Sequence, residues 1–400
     1  MRLLLATNHL GLGGSESYLL TVAEQLERLG HETVIFTLEQ GAGAEVALGR
    51  NLTVVDESEI SGDFDAALVQ DPAVSFQTSA HRPRLPQLFV AHSEIFDLQA
   101  PPQLDGAVGA VVALNDRIAE RLRRYAVQVE VIRLRQPIDT ERFASRAPLP
   151  EVPRTALLFS STPHADRLEM LKSAVAEAGL ELTRLGGSAG QTADPRAALA
   201  GADVVIGYGR SILEAMACGR AAYVYDWNGG DGWVTPETYP AIEADGFAGR
   251  TGRTIVDKAR LVEDLKRYRA SMGPVNHDLV VAHHRASRHA QQLVELFERL
   301  ARPAPRPRMP LQEMTRLVRL EWRARGDAHS LALENIHLRE LLRDSDEARR
   351  RGAQQTEEIR ATVGAATRRA YEETLSWRLT APMRAVGRLL RRIRRADDSA

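Results

Sequence analysis

Two doubly wound α/β domains followed by a helical extension are what this sequence predicts. Three observations carry that expectation. Short, near-continuous apolar runs alternate with amphipathic segments over the first 140 residues. A proline-rich stretch interrupts them, and the same alternation restarts at residue 155. A long, polar, helix-patterned tail closes the chain. Strands that are apolar on both faces, with helical segments between them, belong in parallel sheets covered by helices on both sides.

The first strand is "RLLLAT" (2–7), followed by the turn "GLGGSE" and a helix whose apolar positions Leu19, Leu20, Val22, Ala23 and Leu26 recur up to Gly30, a helix stop. Further strands are "ETVIFT" (32–37), "LTVV" (52–55), "AALVQ" (66–70), "QLFVAH" (87–92), "AVGAVVAL" (107–114) and "VEVIRL" (129–134). Domain one therefore spans 1–140. Four prolines within 135–154 mark a linker at 141–154. Domain two, 155–275, contains "TALLFS", "ELTRLG", "ADVVIG", a helix from Ser211 and "AAYVY". A helix over 276–301, with an apolar stripe from Leu279 to Leu300, is long enough to return across the domain boundary. "RPAPRPRMP" breaks the chain again at 302–310. Two or three polar helices follow within 311–375, read as a helical hairpin or coiled coil.

Composition narrows the function classes. Net charge is −1, so no global pull toward nucleic acid exists, and nucleic acid is not expected as a partner. Only three of the 52 basic residues are lysine, so a lone arginine says little about phosphate binding. Cys218 is the single cysteine, which excludes an intrachain disulfide and fits a small buried thiol. The opening "MRLLLATNHL" is too short an apolar run for a signal peptide, and no run approaches the ~18 residues of a membrane span. A cytoplasmic protein is expected. Seven arginines between 378 and 395, interleaved with Trp377, Leu379, Val386, Leu389 and Ile393, predict a basic amphipathic helix at 376–396. It would lie on the anionic inner face of a membrane, or else pack on an acidic surface of the protein itself.

Two turns carry the chemistry. "NHLGLGGSESY" (8–18) lets the backbone approach a ligand at a helix N-terminus, but lacks the spaced dinucleotide fingerprint. "GYGRSILEAMACG" (207–219) places Arg210, Ser211 and Glu214 where a strand enters a helix. Ser211 and Glu214 fit a capping box, with Ser211 as the N-cap, and that alone would account for the pair. The carboxyl ends of the strands are also where an open α/β sheet binds ligands. There a carboxylate can accept both hydroxyls of a ribose while Arg210 and the helix N-terminus hold a diphosphate. "DWNGGDGWVTPETY" (226–239) reads as a catalytic-end loop, bringing Gly229, Gly230 and Asp231 to the ligand.

"GLGGSESYLLTVAEQLERLGHETVIFT" and "GYGRSILEAMACGRAAYVYDWNGGDGW", with "VIRLRQPIDTERF" before the linker, resemble the GT-B glycosyltransferases of the retaining, glutamate-motif type. The resemblance implies two facing Rossmann-like domains, acceptor on the first and nucleotide-sugar donor on the second. It implies that Glu214 binds the nucleotide ribose, that Gly13 and Gly14 lie near the donor phosphates, and that His92 in "VAHSE" contacts the donor sugar. His92 is equally an ordinary polar residue at a strand end. Two departures stand out. Ile206 occupies the place of a second glutamate eight residues before Glu214. The usual arginine and lysine after the first strand of domain two are replaced by Arg167 and Lys172, set later, with Arg210 as a substitute.

The expected activity is transfer of a hexose from a nucleoside diphosphate sugar to a glycan or lipid-linked acceptor, with retention. His92 and Arg210 are the catalytic candidates, no cofactor is needed beyond the donor, and metal independence is the default expectation. A non-catalytic scaffold of a glycan-assembly complex, using 311–375 for a helical partner or self-association, is the competing reading. A nucleotide-sugar epimerase shares the fold, but no acid/base set beyond His92 suggests itself.

Overall fold

The computed structural model describes residues 1–93, 99–103, 106–125, 129–144, 147–160, 165–187, 190, 192–226, 229–252, 257–300, 302–308 and 311–372, with Thr380, Met383 and Arg384. The chain forms two compact units, Met1–Val318 and Arg319–Ala400.

The first unit holds two sheets. Strands β1 (Arg2–Leu10), β2 (Glu32–Gln40), β3 (Thr53–Val55), β4 (Ala66–Val69), β5 (Gln87–Ala91), β6 (Val108–Ala113) and β7 (Glu130–Arg133) stand in the order β3-β2-β1-β4-β5-β6-β7, every neighbour parallel. Helices α1 (Gly14–Arg28), α2 (Ala42–Gly49), α3 (Pro72–His81) and α4 (Asp116–Arg124) connect them. β1 is central, and Leu3, Leu4, Leu5 and Ala6 are fully buried, which is why it reads as an unbroken apolar run. α1 ends as its sequence predicts: Gly30 takes a φ of +84°, and the N–H groups of Gly30 and His31 donate to the carbonyls of Glu27 and Leu26.

The second sheet is β8 (Thr155–Phe159), β9 (Glu181–Leu185), β10 (Val204–Gly207), β11 (Ala221–Asp226) and β12 (Gly229–Trp233), ordered β12-β11-β10-β8-β9. All its pairs are parallel except β11 with β12. Around it lie α5 (Ala165–Glu177), α6 (Arg196–Ala200), α7 (Arg210–Ala217), α8 (Tyr239–Ala244), α9 (Lys258–Lys266) and α10 (Met272–His283). The stretch 226–239 is therefore not a loop throughout. Gly229–Trp233 turns back along β11 as an edge strand, and Trp233 is buried, its indole N–H donating to the Asp264 carbonyl at 2.7 Å.

The segment 276–301 is two helices rather than one, α10 and α11 (Ala286–Arg299). Between them the backbone leaves the helix to pair with the linker: Ile138 N–H donates to the His284 carbonyl at 2.7 Å, and Ala286 N–H to the Ile138 carbonyl at 3.0 Å. His284 fastens this double crossing, its Nδ1 at 2.8 Å from the Gln136 carbonyl and its Nε2 at 2.8 Å from the Tyr239 hydroxyl. Val280 of α10 belongs to the second lobe's core, whereas Leu293, Leu296 and Phe297 of α11 join the first lobe's. Each such side chain contributes roughly 1.5–3 kcal/mol on burial, so the return helix is anchored where its stripe requires.

Beyond the proline-rich segment the described residues form one helix in place of the two or three expected, which leaves the coiled-coil alternative and not the hairpin. A single helix, α12, runs from Leu311 to Glu372, 62 residues long. No proline interrupts it, and its glycines Gly326, Gly352 and Gly364 each cost only about 1 kcal/mol relative to alanine. The predicted basic helix at 376–396 lies almost wholly outside the described residues. Among the described residues no helix is long and apolar enough to cross a membrane.

Candidate functional site

A cavity of about 250 Å³ opens between the two lobes of the first unit. In each sheet the strand order reverses beside the turn that matters: between β1 and β4 in the first, between β8 and β10 in the second. The β1–α1 and β10–α7 turns therefore sit at both switch points, and both line the cavity. Gly13 is the N-cap of α1 and Gly209 the N-cap of α7, and neither helix start has a side-chain cap. Gly209 holds φ +60° and ψ −133°, a conformation open only to glycine at acceptable cost. Two uncapped helix N-termini thus offer N–H groups and positive dipole ends to one space.

This geometry corrects the capping-box reading. Ser211 is the second residue of α7, not its cap, and its hydroxyl donates to the Tyr208 carbonyl at 2.7 Å. Glu214 lines the cavity, 6% exposed, and pairs with Arg210 at 2.8 Å. Burial pushes the Glu214 carboxyl above the usual glutamate range, and the Arg210 guanidinium opposes that rise. Arg210 is engaged on three nitrogens: Nε to Glu214 Oε1, Nη1 to the Pro137 carbonyl at 2.9 Å, and Nη2 to Thr21 Oγ1 at 3.1 Å. It ties α7 of one lobe to the linker and to α1 of the other.

Two further arginines, which sequence reasoning passed over, face the same cavity. Arg50 follows α2 and Arg142 lies in "DTERF", and their Nη1 atoms sit 3.2 and 3.3 Å from the same Glu24 oxygen. Two guanidiniums sharing one carboxylate leave a net positive charge. Burial pushes the Arg50 guanidinium below its usual range, Glu24 opposes that shift, and Arg142 and Arg210 add to it. Nothing in the local sequence distinguishes Arg50 from dozens of other arginines. Only the fold brings it to the cavity.

Other expected residues lie elsewhere. Gly229, Gly230 and Asp231 are in β12 and do not line the cavity, and Asp231 Oδ1 accepts from Thr251 N–H at 2.9 Å and its hydroxyl at 2.6 Å. His92 is also not among the lining residues. It stands edge-on to Tyr18 with ring centroids 4.8 Å apart, its Nε2 enclosed and without a partner among the described residues. Burial pushes its imidazole down to about 3, with Arg210 and His289 adding to the effect, so the ring is neutral. Tyr18 OH meets His289 Nε2 at 2.8 Å in the same group. Neither Arg167 nor Lys172 reaches the cavity, and Lys172 pairs with Glu169 on the surface of α5. Ile206 is fully buried in the core with Leu158 and Tyr223. The Cys218 thiol is buried and pushed up to about 12, chiefly by burial, which makes it a packing residue. Among the described residues no group of three His, Cys, Asp or Glu side chains could hold a metal ion.

Solved structures share this architecture. Anabaena HepE in complex with UDP and glucose superposes with a TM-score of 0.55 at 12% identity, covering 74% of this chain and 99% of that one. The fold is GT-B. The same Anabaena protein with UDP-glucose gives 0.54 at 13% identity and the same coverage. S. aureus TarM, solved as a mutant with fondaparinux, α-GlcNAc-glycerol and UDP, gives 0.50 at 9% identity over 74% of this chain and 99% of that one. No family model and no curated sequence matches the chain. At such identities the likeness is one of fold, and the chemistry must be argued from the cavity.

Proposed function

We propose that this protein is a glycosyltransferase that binds a nucleoside diphosphate sugar between its GT-B lobes and transfers the hexose, with retention and without a metal ion, to a glycan or lipid-linked acceptor. One observation carries the reading. Two uncapped helix N-termini, Arg50 and Arg142 converge on a cavity that also holds the carboxylate of Glu214. The cationic side suits a diphosphate and the carboxylate suits a ribose diol. Breaking the bond between sugar and diphosphate builds charge on the leaving oxygens. Fixed N–H dipoles and guanidiniums lower that barrier without reorganising. Arg210 acts here as a positioning residue that pins Glu214 and both lobes, while Gly13, Gly14 and Ser211 shape the phosphate end.

Direct attack by the acceptor on the face the diphosphate leaves needs no protein nucleophile, which suits a cavity with no serine–histidine–acid set on its walls. The test is release of nucleoside diphosphate by purified protein with a panel of sugar donors. Uridine donors come first, because the neighbours of like fold were solved with UDP. Turnover with one donor, lost in Glu214→Gln, supports the proposal, whereas neither turnover nor binding with any donor ends it. A scaffold reading draws on Ile206, buried where the resembled motif has a carboxylate, and on the full engagement of Arg210. Tight binding of a nucleotide sugar without turnover would favour it.

A further inference from the structure

We infer that the 324–370 portion of α12 is one strand of a parallel, in-register two-stranded coiled coil formed with a second copy of this chain. Residues 324, 328, 331, 335, 338, 342, 345, 349, 352, 356, 359, 363, 366 and 370 alternate steps of four and three without a slip, the spacing of d and a positions. Leu331, Leu338, Leu342, Ile359 and Val363 fall on this seam and each is at least 49% exposed, while Ile336 and Leu341, also exposed, lie off it. Ala324, Ala328, Ala366 and Ala370 extend it at both ends, small enough for two backbones to approach closely. At 1.5 Å per residue the stretch is about 70 Å long. A solitary helix in water has no reason to keep a 3.5-residue apolar repeat, whereas a left-handed supercoil requires it.

The polar residues specify the partner and its direction. Asn335 occupies an a position between Leu331 and Leu338. In a parallel, in-register pair it meets its own copy and both amides are satisfied. Opposite a leucine it would be buried without a partner, so it selects register and strand number at a cost in stability. Glu334 then stands at g and Arg339 at e, five residues on, the spacing of an attractive interchain pair in a parallel dimer. Neither forms an ion pair with another described side chain of its own chain, and both are exposed. The seam weakens at Ser345, Arg349, Gly352 and Thr356, so association rests on the apolar blocks 328–342 and 359–370.

The full-length chain serves for the test, and its only native cysteine, Cys218, is buried. Light scattering at micromolar concentration should give twice 44.1 kDa. Leu331→Cys and Ile359→Cys, oxidised separately, should each form a disulfide-linked dimer, while Arg343→Cys on the outer face should not. Leu338→Glu with Leu342→Glu should return a monomer whose first unit melts at an unchanged temperature. A monomeric mass at every concentration overturns the inference, and so does cross-linking at Arg343 but not at Leu331. These readouts do not depend on sugar transfer, so either conclusion can fail without the other.

Discussion

Replacing Arg210 with methionine isolates what holds the cavity together. The Arg210 and Glu214 side chains are 10% and 8% exposed and 2.8 Å apart, so the pair is effectively desolvated. Removing one member of such a pair costs about 3–5 kcal/mol, because the other charge stays buried alone. The hydrogen bonds to Pro137 and Thr21 are part of the same loss. Arg210→Met should therefore lose about 3–5 kcal/mol at neutral pH, measured by urea unfolding. Adding Glu214→Gln to it should recover roughly 2 kcal/mol or more, since no uncompensated charge remains. The pH dependence is the sharper discriminator. The folded Glu214 carboxyl titrates above its ordinary 4.5, so between 4.5 and the raised value the folded protein binds more protons than the unfolded chain, and stability falls as pH rises. Without Arg210 the folded value climbs further and that fall deepens. The double variant lacks the group. The stability gap between single and double variants should therefore open above pH 4.5, widen toward neutrality and close below pH 4.5. The buried histidines beside Arg210 are common to both variants and cancel. Equal stability of the two at pH 8, or a gap indifferent to pH, would refute the assignment of Glu214 as a buried, Arg210-compensated carboxylate.

Other outcomes follow from the same geometry. Arg50→Ala and Arg142→Ala should each weaken UDP binding about tenfold, a loss of about 1.4 kcal/mol, by calorimetry at low salt, with fold stability changed little. Gly209→Ala forces alanine into φ +60°, and should cost about 1–3 kcal/mol in urea unfolding and reduce nucleotide affinity by tilting the α7 N-terminus. His92, His284 and His289 are each pushed down to about 3, mainly by burial, so they are neutral when folded and protonated when unfolded between 3 and 6.5. The stability they confer is complete above pH 6.5 and is lost on acidification at about 4 kcal/mol per pH unit. His92→Asn should reduce that slope by about a third. Truncation before Ser376 should abolish sedimentation with anionic vesicles and leave donor turnover intact, and full-length protein that ignores such vesicles at low salt would remove 376–396 as a membrane contact.

Much of the fold was legible in sequence because burial on both faces leaves an unmistakable mark. The runs at β1, β4, β5 and β10 are almost wholly apolar because these strands lie inside parallel sheets and are buried on both faces, whereas the edge strands β3, β7 and β9 are partly exposed and carry polar residues. Gly30 announced the end of α1 for a local reason, the left-handed residue that closes the helix. The helical pattern of 311–372 is equally local, although the sequence divides it into two or three helices where the structure has one.

What the chain alone determined was therefore a set of features fixed by neighbours within a few positions: strand runs, helix stops, the two glycine turns and the carboxylate one turn inside α7. Tertiary structure decided the rest. It made Gly229–Trp233 an edge strand, because its partner β11 supplies the hydrogen bonds. It split 276–301 at His284, because the linker's Ile138 claims that backbone. It brought Arg50 and Arg142 to Glu24 and the cavity, and engaged Arg210 across the lobes. An ion pair between residues more than a hundred positions apart leaves no periodicity to read. Its energy depends on distance and burial, and both exist only once the chain has folded.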